Sequence, residues 1–230
     1  MRVKEFLSAR GVEYKSINVS EQSEAWKDLS HFGFSSVPVV SLGEKSVSGV
    51  NLGQVAHLLD LEFDPNPLLD PSELIERLDR FLSALEVVAP QIPPNVLSTT
   101  LPGRDRTVLE LLHHTVEVAQ TSTRMNETLE FEPANVDSEF DTPISHADLG
   151  GMIKRTREEL KYPGKDWQST VKTYYGLQTK HQILERCTWH VAQHLRQLEH
   201  FCSQWQQEIR GWPTAVDYRD LPLPNSIWDD

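Results

Sequence analysis

His190 and His194 have the spacing of two metal ligands on one helix. They lie in the run Trp189-His-Val-Ala-Gln-His-Leu-Arg-Gln197, and positions four apart in a helix differ by only about 40° around the axis. Both imidazoles therefore project from the same side. Apolar residues at helical spacing between Ile183 and Trp205 form a stripe that includes His194 and borders His190. We therefore expect both rings to face other helices.

A zinc-like site needs at least three protein ligands, so a third must come from elsewhere in the chain. The other candidate histidines are His31, His57, His113, His114 and His146. Only His113 and His114 lie in another strongly helical segment, which the capping-box pattern Thr107-Val-Leu-Glu110 is expected to start. The two histidines border opposite flanks of its apolar face, and periodicity alone does not choose between them.

The run Leu-Leu-His-His114, followed by His190-x-x-x-His194-x-x-Gln197, resembles the DinB superfamily of metalloproteins, whose fold is a four-helix bundle. The resemblance covers residues 71–211. It implies that His114, His190 and His194 hold a divalent metal ion, either zinc, nickel or iron, and that Gln197 orients a ligand or a water molecule beside them. The alternative interpretation is a metal-free bundle in which the three histidines are structural.

The cysteine usage indicates reduced thiols. Cys187 and Cys202 are the only cysteines and lie on one predicted helix, about 22 Å apart at the usual rise per residue, so they cannot form a disulfide with each other. We interpret both as core thiols. A catalytic thiol at Cys187, one turn before His190, is the alternative.

Residues 1–61 alternate short elements and predict a small α/β domain. The predicted helices are 3–9, 22–32 and 52–61, and the predicted strands are 12–19, 37–42 and 46–48. The segments 10–19, 34–39 and 47–51, in this order, resemble a glutaredoxin-like thioredoxin fold. The resemblance implies that the Val37–Pro38 peptide bond is cis and that the backbone there binds glutathione or another low-molecular-weight thiol.

One departure from the glutaredoxin pattern matters for function. Glutaredoxins carry a strand and a Cys-x-x-Cys or Cys-x-x-Ser motif before their first helix, whereas this chain begins at Met1, where the helix begins. The two interpretations are a truncated module without redox chemistry and a true start further upstream. The truncated module would serve for packing or keep a thiol-binding groove. Its open sheet edge would need cover from another part of the chain or from a homodimer partner.

The remaining chain predicts an all-α domain after a linker. Residues 62–70 are proline-bearing and end where Asp70 and Pro71 suit the start of a helix. Predicted helices follow at 71–89, 106–129, 145–161 and 178–211, and the tail 212–230 is expected to be irregular and to pack on the bundle. The expected fold class is α+β, with a truncated thioredoxin-like domain followed by a DinB-like four-helix bundle.

The amino-acid composition disfavours some classes of binding partner. Lys and Arg total 22 against 34 Asp and Glu, a net charge of −12, which disfavours nucleic acid and anionic membrane surfaces. No apolar run approaches about 20 residues, and no secretion signal is evident. We therefore expect a cytoplasmic protein that acts on a small molecule.

Together these patterns favour a metal-dependent transferase or isomerase that uses a glutathione-like thiol against a small electrophile. The alternative is a non-catalytic metal- or ligand-binding protein whose glutaredoxin-like half serves interaction or dimerisation. A glutaredoxin-type oxidoreductase would need a Cys motif that this chain does not contain.

Overall fold

The structure is a computed structural model that falls into two compact units, residues 1–66 and 67–228, which are described separately. The described residues are 2–8, 10–19, 23–64, 66–102, 106–125, 130–131, 146–162, 166–173, 175–205 and 208–228. The chain combines small sheets with a mostly helical remainder, so its class is α+β.

The first unit contains three helices and one hairpin. In chain order these are α1 (Arg2–Ser8), α2 (Ser23–His31), β1 (Val39–Leu42), β2 (Lys45–Ser48) and α3 (Leu52–Leu58). Strands β1 and β2 pair antiparallel, with Val39 opposite Ser48. Helix α3 begins at Asn51, whose side chain accepts a hydrogen bond from the Gln54 amide, so the cap fixes where this helix starts.

Apolar side chains of α1 and α3 form the core of this unit. Val3, Phe6 and Leu7 on α1 pack with Leu52, Val55 and Ala56 on α3. The Phe6 ring also meets the Phe63 ring edge-on, with centroids 5.4 Å apart. Two helices and their hairpin therefore enclose a small apolar centre.

The predicted strand at 12–19 is wrong. Within the described part of this unit, β1 and β2 pair only with each other, and residues 13–18 are exposed and belong to no strand. An extended segment becomes a strand only when a neighbour accepts its backbone hydrogen bonds. The strand-like sequence of this segment was therefore insufficient to make a strand.

The Val37–Pro38 peptide bond is cis, as the glutaredoxin resemblance implies. Gly49 lies against this proline: its amide donates to the Pro38 carbonyl at 2.8 Å. A Cβ at Gly49 would lie 3.1 Å from the Pro38 ring, so the close approach of the two backbones favours glycine.

The second unit contains four long helices. Its helices are α4 (Pro71–Val88), α5 (Pro94–Leu97), α6 (Val108–Arg124), α7 (His146–Leu160), α8 (Lys180–Cys202) and α9 (Ala215–Tyr218), and a short 3-10 turn follows α4 at Ala89–Gln91. Helix α8 packs against α4 and α6, and α7 packs against the same two. The four long helices thus surround one apolar core.

Large side chains from all four helices fill this core. The fully buried ones include Phe81 on α4, Leu112 on α6, Ile153 on α7 and Leu195 on α8. Each such burial contributes about 1.5–3 kcal/mol relative to exposure. Packing therefore holds α6 and α8 side by side, which is the pair that carries the candidate ligands.

Helix ends follow the local chemistry of the sequence. Pro71 occupies the first turn of α4 after the cap residue Asp70. The predicted capping box of α6 is present, because Thr107 and Glu110 bond each other's backbone amides. An unpredicted box between Thr179 and Gln182 starts α8. That helix ends at Cys202, so the predicted span of 178–211 was too long at both ends.

The sequence did not predict the short strands and the short C-terminal helix of the second unit. Strand β3 (Glu130–Phe131) runs parallel to β4 (Thr170–Thr173), which pairs antiparallel with β5 (Gly176–Thr179) just before α8. The tail, predicted to be irregular, contains the single turn α9, where the Asp217 carboxylate accepts from the Thr214 amide and hydroxyl. As predicted, Trp212 and Trp228 pack on the core.

Among the described residues, no helix combines the length and the apolar character needed to cross a membrane.

Candidate metal centre

The structure brings His114, His190 and His194 together between α6 and α8. Their potential ligand nitrogens all lie within 4.8 Å of one another. The ring centroids of His190 and His194 are 4.5 Å apart, and the His114 centroid lies 5.8 and 5.1 Å from them. Side chains from two facing helices therefore converge on one point.

The His190 ring has an unsatisfied nitrogen. Its Nδ1 is buried and has no hydrogen-bond partner among the described residues. A buried polar atom without a partner costs about 1–3 kcal/mol, and a metal ion would take up a lone pair of this ring. The histidine set therefore fits a divalent cation such as zinc, nickel or iron.

Local electrostatics keep His190 neutral. Burial lowers the pKa of His190 well below its usual range, and the neighbouring His194, Arg186 and His114 lower this pKa further. A metal binds the neutral imidazole, because only that form has a free lone pair. The ring is therefore in the ligand form at neutral pH.

Gln197 orients His194. The Gln197 side-chain amide donates from Nε2 to the Ile227 carbonyl at 3.1 Å, so its Oε1 is the atom that faces His194 Nδ1 at 2.9 Å. This arrangement assigns the proton of His194 to Nδ1. The ring's other nitrogen then carries the lone pair that a metal would need.

Glu117 places a carboxylate beside one of the three histidines, His114. Its Oε2 lies 3.9 Å from His114 Nδ1, one turn along α6. The carboxylate thus lies on the Nδ1 side of the His114 ring, beyond direct hydrogen-bonding distance. The ring of Trp189, for which the sequence pattern indicates no role, stacks on His190 with centroids 5.5 Å apart.

The remaining histidines lie outside the cluster, within the part of the chain that the structure describes. His113 is buried but does not join the group, and His31 and His57 belong to the first unit. His181 bonds the Leu69 carbonyl at 2.8 Å. The His146 side chain lies outside the described residues.

Cys187 does not have the properties of a nucleophile. Its side chain is buried, and burial raises the pKa of its thiol to about 12. Because the thiolate is the reactive form, this raised pKa disfavours reaction at neutral pH. Cys187 is therefore placed as a core residue, which favours the core-thiol interpretation over a catalytic cysteine.

A cleft of about 290 Å³ lies away from the histidines. Arg80, Val87 and Trp212 are among its lining residues, and none of the three histidines line it. Arg80 is already paired there with Asp217 at 3.3 Å. This cleft therefore does not mark the site where chemistry at the histidines would occur.

In the first unit, Val37 is exposed and Pro38 is half-buried. Their peptide geometry matches the resemblance, and the unit contains no cysteine. The structure thus shows an exposed residue at the cis peptide, in a unit without a cysteine.

Comparison with known families and proteins agrees with part of this description. The family model described as Glutaredoxin matches residues 1–47. No curated protein and no solved structure matches the chain. The N-terminal part of the chain is glutaredoxin-like.

Proposed function

We propose that the protein is a metal-dependent enzyme of the DinB type, a transferase or isomerase that uses glutathione or a similar small thiol against a small electrophile. The observation that carries the proposal is the convergence of His114, His190 and His194, with potential ligand nitrogens within 4.8 Å of one another. Three imidazoles leave coordination positions open on a divalent ion, as in catalytic sites.

The packing of the second unit supports a DinB-like four-helix bundle over residues 71–211. Contacts run from α4 to α8, from α8 to α6, from α6 to α7 and back to α4. Bundles of this kind carry metal sites on facing helices. The proposed ligands come from α6 and α8, which are in direct contact.

When bound, the ion would lower the pKa of a nearby thiol or water towards neutrality. The chain's own residues prepare the site for it. His190 is held neutral, Gln197 fixes the proton of His194 on Nδ1, and Glu117 faces His114 Nδ1. The first two features keep a lone pair available on His190 and His194, and a carboxylate beside a ligand histidine is a common outer contact of metal sites.

The glutaredoxin-like N-terminal part supports a thiol as the second reactant. Its family match covers residues 1–47, and the cis Val37–Pro38 peptide lies in that range. We propose that the backbone at Val37 binds the thiol. Because the unit has no cysteine, binding rather than dithiol exchange is the role assigned to it.

Metal analysis tests the site. Purified wild type should contain about one divalent ion per chain, whereas the double variant His190→Ala, His194→Ala should contain none, because one imidazole cannot hold the ion alone. His200→Ala is the matched control, since His200 lies exposed on the same helix. Equal metal content in wild type and double variant would remove the site.

Turnover tests the reaction class. Wild type should convert members of a panel of small electrophiles with glutathione or another thiol, and a chelator should abolish this activity. The double variant should be inactive with or without added zinc. Turnover that persists in the chelated wild type would exclude a metal-dependent reaction.

The alternative function is a non-catalytic metal-binding protein whose N-terminal part mediates interaction or dimerisation. One observation favours it: Glu117, 3.9 Å from His114 Nδ1 on the same helix, faces a proposed ligand ring, a position that suits orienting this ring rather than acting as a general base on a substrate. Metal binding without turnover of any electrophile would support this alternative.

A further inference from the structure

A C-terminal strap, residues 224–227, lies along α8 beside the candidate metal site. Arg196 donates from Nη1 to the Pro224 carbonyl at 2.8 Å and to Gln193 Oε1 at 2.9 Å, and its Nη2 lies 3.5 Å from the Asn225 carbonyl. The strap is thus tied to α8 through its backbone, which makes the contact independent of the strap's own side chains.

Two buried glutamines, one turn apart, complete the attachment. Gln193 donates from Nε2 to the Ile227 carbonyl at 2.7 Å and to the Ser226 carbonyl at 3.2 Å, and Gln197 donates to the same Ile227 carbonyl at 3.1 Å. Both glutamines are more than nine-tenths buried. The Ile227 carbonyl therefore accepts two donors, which matches its two lone pairs.

The Ile227 carbonyl decides which way the Gln197 amide points. With the NH₂ end held by the strap, only Oε1 can face His194 Nδ1. A flipped amide would leave the Ile227 carbonyl with one donor fewer and would place an N–H donor against His194. That donor would demand a lone pair on Nδ1 and move the proton of His194 to Nε2.

We propose that the strap locks the ring tautomer of His194 through Gln197, so that metal affinity depends on a segment that supplies no ligand. The proposal rests on the metal site proposed above. Gln197 is the positioning residue, and the strap acts through it. Partners of this kind typically change metal affinity by 10- to 100-fold.

The first test needs no metal. In metal-free wild type, ¹⁵N NMR of His194 should show the proton on Nδ1. The variant Gln197→Leu removes the acceptor that faces His194 Nδ1 and should abolish this preference. The variant Gln197→Glu replaces the amide oxygen with a carboxylate oxygen, which also accepts, and should preserve the preference. An unchanged tautomer in Gln197→Leu would overturn the lock.

The second test measures zinc affinity by competition with a chromophoric chelator. Gln197→Leu should bind zinc about 10- to 100-fold more weakly than wild type, and Gln197→Glu should bind at least as tightly. In the wild-type background, Gln193→Leu should weaken zinc binding severalfold. In the Gln197→Glu background it should have no effect, because the two carboxylate oxygens of Glu are equivalent and both accept. Gln120→Leu, at a buried glutamine on α6, is the matched control and should leave affinity unchanged.

The outcomes separate the two proposals. If wild type binds no zinc, the metal site itself fails, while the NMR result still decides the tautomer lock. If wild type binds zinc and Gln197→Leu binds it equally well, only the role of the strap is overturned. Equal effects of Gln193→Leu in both backgrounds would show that the strap acts through stability rather than through Gln197.

Discussion

At the scale of single residues, packing decides a choice that periodicity leaves open. His113 and His114 are adjacent, and the sequence places them on opposite flanks of one apolar face. In the structure His114 faces α8 and meets His190 and His194, whereas His113 is buried elsewhere. The i, i+4 pair was predictable from helix geometry, but the third member required either the resemblance or the contact between α6 and α8.

The two thiols should be slow to react in the folded protein. Burial raises the pKa of Cys187 to about 12 and that of Cys202 to about 11, from a usual value of 9.0. At pH 8 the thiolate fractions fall by about three and two orders of magnitude. Labelling with a chromogenic disulfide should therefore be at least about 100-fold slower in native than in guanidinium-unfolded protein. Rapid labelling of a native thiol would contradict the buried placement.

At the scale of elements, the long helices were predictable and the short elements were not. Helices α4, α6, α7 and α8 have sustained apolar periodicity, and proline or a capping box marks the start of α4 and of α6. Each strand of the hairpin β4–β5 has only four residues, which is too few to show a clear alternation of apolar and polar residues. The wrong strand at 12–19 shows the converse, since the segment is strand-like but pairs with no strand among the described residues.

Gly211 should resist substitution after α8. It has φ +100°, and an added Cβ would lie 2.7 Å from Val87 Cγ1. Gly211→Ala should therefore lower the free energy of unfolding by about 1–3 kcal/mol. Gly150→Ala is the matched control: Gly150 lies within α7 with open space around it, so alanine there should stabilise by up to about 1 kcal/mol. Similar effects at both positions would contradict this account of Gly211.

The turn α9 should make stability depend on pH through Asp217. Burial raises the pKa of this carboxyl, but hydrogen bonds from Thr214 and the charges of Arg80 and Arg77 outweigh burial and bring the pKa below 3.8. A depressed folded pKa stabilises above the unfolded value, and this contribution is lost as pH falls through the folded value.

The variant Asp217→Asn tests this dependence. It should cost about 1 kcal/mol at pH 7 because the caps at Thr214 weaken, and the difference from wild type should narrow as the solution is acidified below about pH 4. Denaturant unfolding at pH 7 and at pH 3 measures both values. A difference that is the same at the two pH values would exclude the ionised carboxylate as its source.

At the scale of the whole molecule, the glutaredoxin-like part and the candidate metal ligands lie in different units. The first is glutaredoxin-like over residues 1–47 and contains no cysteine. The second carries the three histidines and both cysteines. The α+β class followed from the order of elements in the sequence. The strap at 224–227 did not, because its contacts are made by backbone carbonyls, which leave no trace in residue type.

The chain should therefore lack glutaredoxin activity. With a glutathione mixed disulfide as substrate, turnover should not exceed that of the variant Cys187→Ser, Cys202→Ser, because dithiol exchange needs an accessible thiolate. Catalytic turnover by wild type that the double variant loses would show that a buried thiol becomes accessible, and would contradict the division of roles between the units.

The central claim is that His114, His190 and His194 hold one divalent ion, and zinc titration of metal-free protein tests it most directly. Calorimetry on wild type, His114→Gln and His113→Gln compares two adjacent histidines, of which only one belongs to the cluster. We predict one zinc per chain in wild type and His113→Gln, and an affinity more than about 100-fold weaker in His114→Gln. Equal affinities in all three proteins, or no zinc binding by wild type, would contradict the account.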